Sequence, residues 1–323
     1  MIRNLAASLL IAGTALTGGW AAAQSPAPLY TRLAAKYPAP ALSAVHSTEL
    51  KFLVDGDKVK GAPEAALVQL WTKIQAAGSG GGFTFSEKWD MPYRVSSSYQ
   101  EYFDTPDQQL WGKGYLIRVI KHLSAVGKKH KPPSSDLEVT FKSILPDFNA
   151  VLAAPLQVAG AQMTKGKAEE NIGAGPRRTL SSYIEKTATL VVPPGQLGDL
   201  TLGDFARLLP ELASLGIPAG TKLQGTRAYT VEMDPGTVQL AGSEPSRIRL
   251  EGWSAKPGEK PYLYNVSVKY GLEDFYGSVQ LHAAGERFLA KALQEGLADV
   301  ALADEGKWCG SSVRKLMNRP MAQ

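Results

Sequence analysis

The sequence predicts a mainly β fold, in which many antiparallel strands form a closed or nearly closed barrel with a few flanking helices. Many short runs alternate polar and apolar residues or are rich in β-branched and aromatic residues, as strands are. Turn residues separate these runs, and helical spacing is found in only three stretches. Strands in such excess favour a barrel over layered α/β architectures.

The first predicted strand is Thr48 to Val54, which alternates polar and apolar residues before the turn at Asp55 to Asp57. A helix is predicted over Pro63 to Gln75, with proline in its first turn and apolar residues spaced along one face. The other helical patterns are Leu202 to Leu215 and Ala284 to Leu297. The remaining strand-like runs are Phe83 to Trp89, Tyr93 to Phe103, Tyr115 to His122, Leu137 to Lys142, Ser181 to Val192, Leu223 to Met233, Thr237 to Leu240, Ile248 to Trp253 and Leu263 to Tyr270.

The first residues are typical of a signal peptide. Arg3 precedes an apolar run from Leu5 to Leu16, and Ala21 to Ala23 gives a cleavage pattern, so we expect residues 1–23 to be removed. A membrane anchor is the alternative, but Gly13 interrupts the run and it is shorter than the roughly 20 residues of a bilayer span. The sequence therefore predicts an exported protein, periplasmic or secreted.

The rest of the chain predicts one soluble domain. Residues 24–44 are predicted to be a leader segment, residues 45–300 a barrel domain and residues 301–323 a C-terminal tail. Residues 146–176, rich in Ala, Gly and Pro, are predicted to be an insertion between two strands. No later stretch is long and apolar enough to span a membrane, and the single cysteine, Cys309, cannot form an internal disulfide.

The formal net charge of +5 favours anionic partners only mildly, and no dense Lys/Arg cluster indicates a nucleic-acid partner. Side chains alternate across a strand, so Glu49 and Lys51 share one face, as do Glu138 and Lys142. If such faces point into a barrel, cations converge in a confined space and call for a polyanion. The alternative is that these faces lie on the solvated outside of the sheet.

Three sequence blocks, in order, resemble the CYTH, or triphosphate tunnel, superfamily. Tyr102 to Asp107, Gly114 to Arg118 and Leu137 to Lys142 are similar to its Y-[YF]-D-T-P, G-x-x-[LI]-R and E-x-T-x-K blocks. Ser47 to Lys51 stands at the family's opening strand, and Asn265 to Lys269 stands at its closing strand. The resemblance implies an eight-stranded antiparallel tunnel for a triphosphate or another phosphate-rich ligand, such as polyphosphate. It also favours the inward orientation of the charged faces.

The resemblance also implies roles for particular residues. Lys51, Glu138 and Lys142 are the predicted catalytic residues. Glu49 and Glu138 are the predicted ligands of Mg²⁺ or Mn²⁺. The predicted ligand-binding cations are Lys51, Arg118, Lys142, Arg227 (in a segment similar to the family's second basic strand) and Lys269.

The sequence departs from the family pattern where carboxylates are expected. Ser47, Asn265 and Ser267 stand at positions where the tunnel enzymes keep glutamates for metal. Two functions therefore remain open at this point. The first is a metal-dependent phosphohydrolase acting on triphosphate or polyphosphate, and the second is a non-catalytic periplasmic polyanion-binding or scaffold protein with a degraded metal site.

Overall fold

The computed structural model describes residues 44–87, 95–125, 135–144, 148–159, 163–175, 180–242, 244–274 and 277–303. The predicted signal peptide, nearly all of the leader segment and most of the C-terminal tail lie outside these residues. None of the described helices has both the length and the apolar character that a bilayer crossing requires.

The described strands form one sheet that closes on itself. They are β1 (Ser47–Asp55), β2 (Thr84–Glu87), β3 (Val95–Asp104), β4 (Tyr115–Ala125), β5 (Leu137–Ser143), β6 (Met163–Ala174), β7 (Leu180–Val192), β8 (Gln224–Gln239), β9 (Ser246–Ser254) and β10 (Leu263–Gly271). Their order is β2-β8-β3-β4-β5-β7-β6-β1-β10-β9, and a further pairing of β8 with β9 closes the barrel. The predicted closed, mainly β barrel is confirmed.

The barrel differs from the prediction in two details. Nine strands close the ring, not eight, and β2 pairs along the outside with β8. The pairing of β1 with β6 is parallel, whereas the other pairings are antiparallel.

The ninth strand of the ring and the parallel pairing both come from the segment 146–176. It supplies the short helix Phe148–Ala153 and the whole of β6, which fills the gap between β7 and β1. The sequence of β6, MTKGKAEENIGA, is rich in residues that strands disfavour, so the strand could not be identified from propensity. Residues 163–174 of the segment are therefore part of the barrel wall.

Strand β8 also joins two runs that the sequence predicts to be separate. Asp234 to Gly236 looks like a turn, but the strand continues through it with a register shift against β9 between Met233 and Gly236. Such a bulge accommodates Pro235 within a strand, since proline lacks a donor for the ladder.

The helices lie on the outside of the barrel and bury the apolar faces of its strands. The described helices are Pro63–Gly80, Gln109–Gly112, Phe148–Ala153, Leu202–Leu208 and Val279–Phe288, with a π-helical continuation over Leu289–Glu295 and 3₁₀ turns at Gly56–Lys58, Pro194–Leu197 and Pro210–Leu215. Leu50 and Phe52 of β1 are in one core cluster with Trp71 of the first helix. Val139 and Phe141 of β5 pack in a second cluster with Phe205.

This outer packing decides the orientation of the charged faces. Leu50 and Phe52 are buried between the outer face of the barrel and the first helix. Glu49 and Lys51, at alternate positions, therefore point to the barrel interior. The solvated-face alternative is therefore wrong for β1, and by the same argument for β5.

Candidate functional site

The barrel interior holds a cavity of about 370 Å³ that is lined mainly by charged side chains. Among the described residues, six cations line it: Lys51, Arg118, Lys142, Arg247, Arg249 and Lys269. Five carboxylates line it as well: Glu49, Glu138, Glu169, Glu185 and Glu251. So many ionised groups around one enclosed space are costly unless each finds a partner, within the protein or in a ligand.

One end of the cavity is closed by an apolar layer, which we call the floor. Tyr102 and Trp253 line the cavity there and stack with ring centroids 6.1 Å apart. They belong to a buried cluster contributed by seven strands or strand ends, with the members Leu53, Tyr102, Leu116, Ile144, Ala228, Trp253 and Leu263. This layer fills the barrel below the charged groups.

The other end is open, and we call it the mouth, formed by Arg247, Lys269 and Glu138. The side chain of Arg247 is 49% exposed and that of Lys269 is 35% exposed. Near the floor, the side chains of Lys51 and Lys142 are only 13% and 11% exposed. Among the described residues, the cavity therefore leads from exposed cations at the mouth to buried ones near the floor.

Ion pairs organise the cations along the wall. Lys142 donates to both carboxylate oxygens of Glu185, at 2.8 and 3.0 Å. Lys51 Nζ lies 3.1 Å from Glu49, and Lys269 donates to Glu169.

The two arginines of β9 face a further acidic pair. Arg249 Nε lies 3.0 Å from Glu232 and 3.5 Å from Asp234, and Arg247 also pairs with Asp234.

Burial and neighbouring charges shift the pKa values of the two deep lysines, Lys51 and Lys142, in opposite directions. Burial lowers the pKa of Lys51, but Glu49, Glu185 and other nearby groups outweigh it, and the pKa lies well above its usual range. For Lys142, burial lowers the pKa and Glu185 offsets only part of this, while Lys51 and Arg118 lower it further. Lys142 is therefore held below its ordinary basicity chiefly by its burial, and the neighbouring cations add to the effect.

Several buried polar atoms of the barrel strands have no hydrogen-bond partner among the described residues, and those on residues that line the cavity include Arg118 Nε, Trp253 Nε1 and Asn265 Oδ1. Two of these three are donors, at or next to the floor, and buried polar atoms of this kind are normally paired.

The structure brings together nearly all of the residues that the sequence singles out. Lys51, Arg118, Glu138, Lys142 and Lys269 line the one cavity together with Glu49. Asn265 and Ser267 of the closing strand line it too, and the carboxylates missing from those positions are supplied by β6, β7 and β9, as Glu169, Glu185 and Glu251.

Arg227 is the exception, and its predicted inward orientation is wrong. Its side chain is 59% exposed and pairs with Glu101 on the outer face, at 2.7 Å. In the register of β8, its neighbour Ala228 is the buried residue that joins the floor cluster. Because side chains alternate between the two faces of a strand, the preceding residue, Arg227, points outward.

Asp104 and Thr105 of the first resemblance block organise a turn. Asp104 accepts hydrogen bonds from the backbone N–H groups of Thr105, Leu110 and Trp111, and Thr105 Oγ1 accepts one from the N–H of Gln109. These carboxylate and hydroxyl oxygens start the helix Gln109–Gly112, as capping residues do.

The two predicted metal ligands come from strands that are not neighbours in the sheet, and each lies next to a cation. Glu49 pairs with Lys51, while Glu138 lies 4.0 Å from Arg118 and 3.8 Å from His122 Nε2. Within the described ranges, no group of three or more His, Cys, Asp or Glu side chains is placed to hold a metal ion. Mg²⁺ and Mn²⁺ take several oxygen ligands, so these side chains do not fit a metal bound by the protein alone, and the metal stays a prediction.

The residues that sequence reasoning missed are Glu169, Glu185, Arg247, Arg249 and Glu251. On β9 the signal was present, because Arg247, Arg249 and Glu251 alternate with buried apolar residues as Glu49 and Lys51 do. On β6 the pattern around Glu169 carries no comparable alternation.

No protein-family model and no curated protein matches the chain. Among solved structures, it is similar to the HpAC1 protein from Hippeastrum, whose structure is described as revealing a dominant triphosphatase activity. The TM-score is 0.38 and the identity 11%, over 77% of this chain and 88% of that chain. A proposed adenylate cyclase from Bacillus halodurans matches with a TM-score of 0.37 and 14% identity, over 80% and 93% of the two chains. The likeness concerns the fold alone.

Proposed function

We propose that the protein binds a triphosphate- or polyphosphate-containing ligand in the barrel cavity, with the ligand entering through the mouth. The observation that carries this proposal is the set of six cations around a single cavity of about 370 Å³. Phosphate oxygens accept charge-assisted hydrogen bonds from lysine and arginine, and these are about twice as strong as neutral ones.

Each part of the cavity has a role in this proposal. Arg247 and Lys269 at the mouth attract the anion and remain partly hydrated. Arg118, near the floor, lines the cavity, and its guanidinium group can donate charge-assisted hydrogen bonds to phosphate oxygens. The apolar floor excludes water from the deep end, which strengthens each charge–charge contact.

Two arginines on the same barrel provide a matched test. In metal-free buffer containing inorganic triphosphate, we expect Arg118→Ala to weaken binding by about 2 kcal/mol, because it removes a buried charged donor. Arg227→Ala removes the same side chain from the outer face and should change affinity by less than about 0.5 kcal/mol. Titration calorimetry on folded variants measures both.

A wild-type protein that binds no triphosphate, or equal losses in the two variants, would contradict the proposal. Equal losses would mean that binding follows overall charge and not the cavity.

Hydrolysis of the ligand is a second candidate, favoured by the pair of Glu138 and His122 beside the mouth. The Glu138 carboxylate, 3.8 Å from His122 Nε2, raises the pKa of His122 and so favours the protonated imidazole. Such a proton can be donated to a leaving phosphate, and general acid catalysis contributes roughly 100-fold or more. Phosphate release by the wild type that falls about 100-fold in His122→Ala would support it. Release no faster than in buffer would leave binding as the function.

Export to the periplasm or medium is proposed as well, from the N-terminal pattern of residues 1–23. Expression of the full chain in a Gram-negative host, followed by N-terminal sequencing of the periplasmic fraction, tests it. Recovery of the uncut chain in the cytoplasm would contradict the proposal.

A further inference from the structure

Two carboxylates in the wall are more deeply buried than the cations that they contact. Glu169 and Glu185 lie directly opposite each other on β6 and β7, and their side chains are 1% and 3% exposed. Glu185 accepts two hydrogen bonds from Lys142, while Glu169 accepts from Lys269 and, at 2.8 Å, from Ser47 Oγ. Ser47 stands where the resemblance predicts a metal-binding glutamate, and here its hydroxyl donates a hydrogen bond to Glu169.

Like charges directly opposite each other on neighbouring strands repel. The cost is tolerable only because each carboxylate contacts a lysine, and burial keeps water from screening either charge. Lys142 and Lys269 are thus already neutralised by the protein. A phosphate that enters the cavity competes with Glu185 and Glu169 for these two ammonium groups.

The charge of the whole cavity points the same way. The six lining cations face five lining carboxylates among the described residues, and Glu232 and Asp234 engage the two arginines of β9 in addition. The lining is therefore close to neutral before any ligand enters. A free triphosphate, with several negative charges, makes this enclosed space strongly negative, whereas a single phosphate group changes it far less.

We infer that Glu169 and Glu185 are specificity-determining residues that act as built-in counter-anions and limit how much negative charge the cavity accepts. The inference rests on the proposed function. It assigns these glutamates to the lysines and not to a metal ion, in keeping with the absence of a metal-holding cluster in the described ranges. Removing either carboxylate charge should raise affinity for a free polyanion more than for a singly phosphorylated one.

The test compares Glu185→Gln with the wild type in buffer containing a chelator, using inorganic triphosphate and inorganic phosphate as probes. Glutamine keeps the shape and the acceptor oxygen but not the charge. We expect the affinity for triphosphate to rise roughly tenfold or more, the size of effect that a single charge a few ångströms away produces. The affinity for inorganic phosphate should rise by a smaller factor.

Two controls separate this effect from a general gain of positive charge. Glu101→Gln removes a carboxylate from the ion pair with Arg227 on the outer face and should leave both affinities unchanged. The double change of Glu185→Gln with Lys142→Met should lose the gain, because no ammonium group is released. Should Glu185→Gln fail to fold, Glu169→Gln carries the test, since Lys269 at the mouth can be hydrated.

The outcomes of the two proposals are distinguishable. If the wild type binds triphosphate and Glu185→Gln binds it with equal or lower affinity, the inference is overturned and the proposed function stands. Triphosphate binding by Glu185→Gln but not by the wild type supports the inference and contradicts the proposed function. No binding by either protein contradicts both, and an equal gain in Glu101→Gln overturns the inference.

Discussion

The floor and the mouth of the cavity contain similar residues in different surroundings. Lys142 near the floor and Lys269 at the mouth each contact a buried glutamate, but their side chains are 11% and 35% exposed. The two glutamates are equally buried, but water reaches Lys269 far more than Lys142, so the same chemical contact has a different energy at the two ends. Burial, and not residue type, therefore decides how much each cation contributes.

The largest difference between the two ends should be in stability. Trp253→Ala at the floor removes a large side chain that is 2% exposed and leaves a void, which should lower the free energy of unfolding by about 3–5 kcal/mol. Arg247→Ala at the mouth should lower it by less than about 1 kcal/mol. Denaturant unfolding of the two variants measures both values, and a loss below 1 kcal/mol for Trp253→Ala would show that the floor is not a packed layer.

The next difference should be in ligand affinity. Lys142→Met removes one positive charge from the deep end and leaves Glu185 buried without its lysine. Triphosphate binding should therefore weaken by about 2–3 kcal/mol. Lys269→Met makes the same change at the mouth, where solvent compensates, and should cost about 1 kcal/mol or less. Calorimetry on both variants decides the order; a larger loss in Lys269→Met would place the main phosphate contact at the mouth.

The smallest effect should be seen in how the stability of the protein depends on pH, through Glu232 on the barrel strand β8. Burial raises the pKa of Glu232 from its ordinary 4.5 to about 7, Glu251 and Asp234 raise it too, and Arg249 and Arg247 oppose them. A carboxyl group with a raised folded-state pKa contributes stability that is fully present below pH 4.5 and is lost as the pH rises through about 7.

Glu232→Gln stays neutral throughout, so it should lose less stability than the wild type between pH 5 and pH 8, by roughly 1–2 kcal/mol. Urea unfolding at a series of pH values gives the difference. Parallel curves for the two proteins would mean that Arg249 keeps Glu232 ionised across the range.

The sequence predicted the strands whose outer faces are strongly apolar. On β1, Leu50 and Phe52 alternate with Glu49 and Lys51, so the strand follows from local pattern, while packing of the first helix on the apolar face shows that the charges point inward. The same pattern on β9 shows Arg247, Arg249 and Glu251, although their place in the cavity depends on pairing between β9 and β10.

Other parts could not be predicted from a local pattern. Strand β6 has no propensity for its structure and is fixed by pairing with β7 on one side and β1 on the other. Arg227 lies next to Ala228 in a stretch where both faces of the strand carry polar residues. Only the register of β8 against β3 puts the alanine inside the barrel.

The sequence by itself predicted a closed or nearly closed β barrel, and its resemblance to the CYTH superfamily, not its periodicity, favoured inward positions for Lys51, Arg118, Glu138, Lys142 and, wrongly, Arg227. Only the tertiary structure decided the balance of charge in the cavity, because Glu169 and Glu185 meet Lys269 and Lys142 through contacts between strands 100 and 43 residues apart in the chain. Alternation along a strand fixes which face a side chain takes. It does not fix which side chains face each other across a barrel, and in a space that excludes water those partners set the electrostatics.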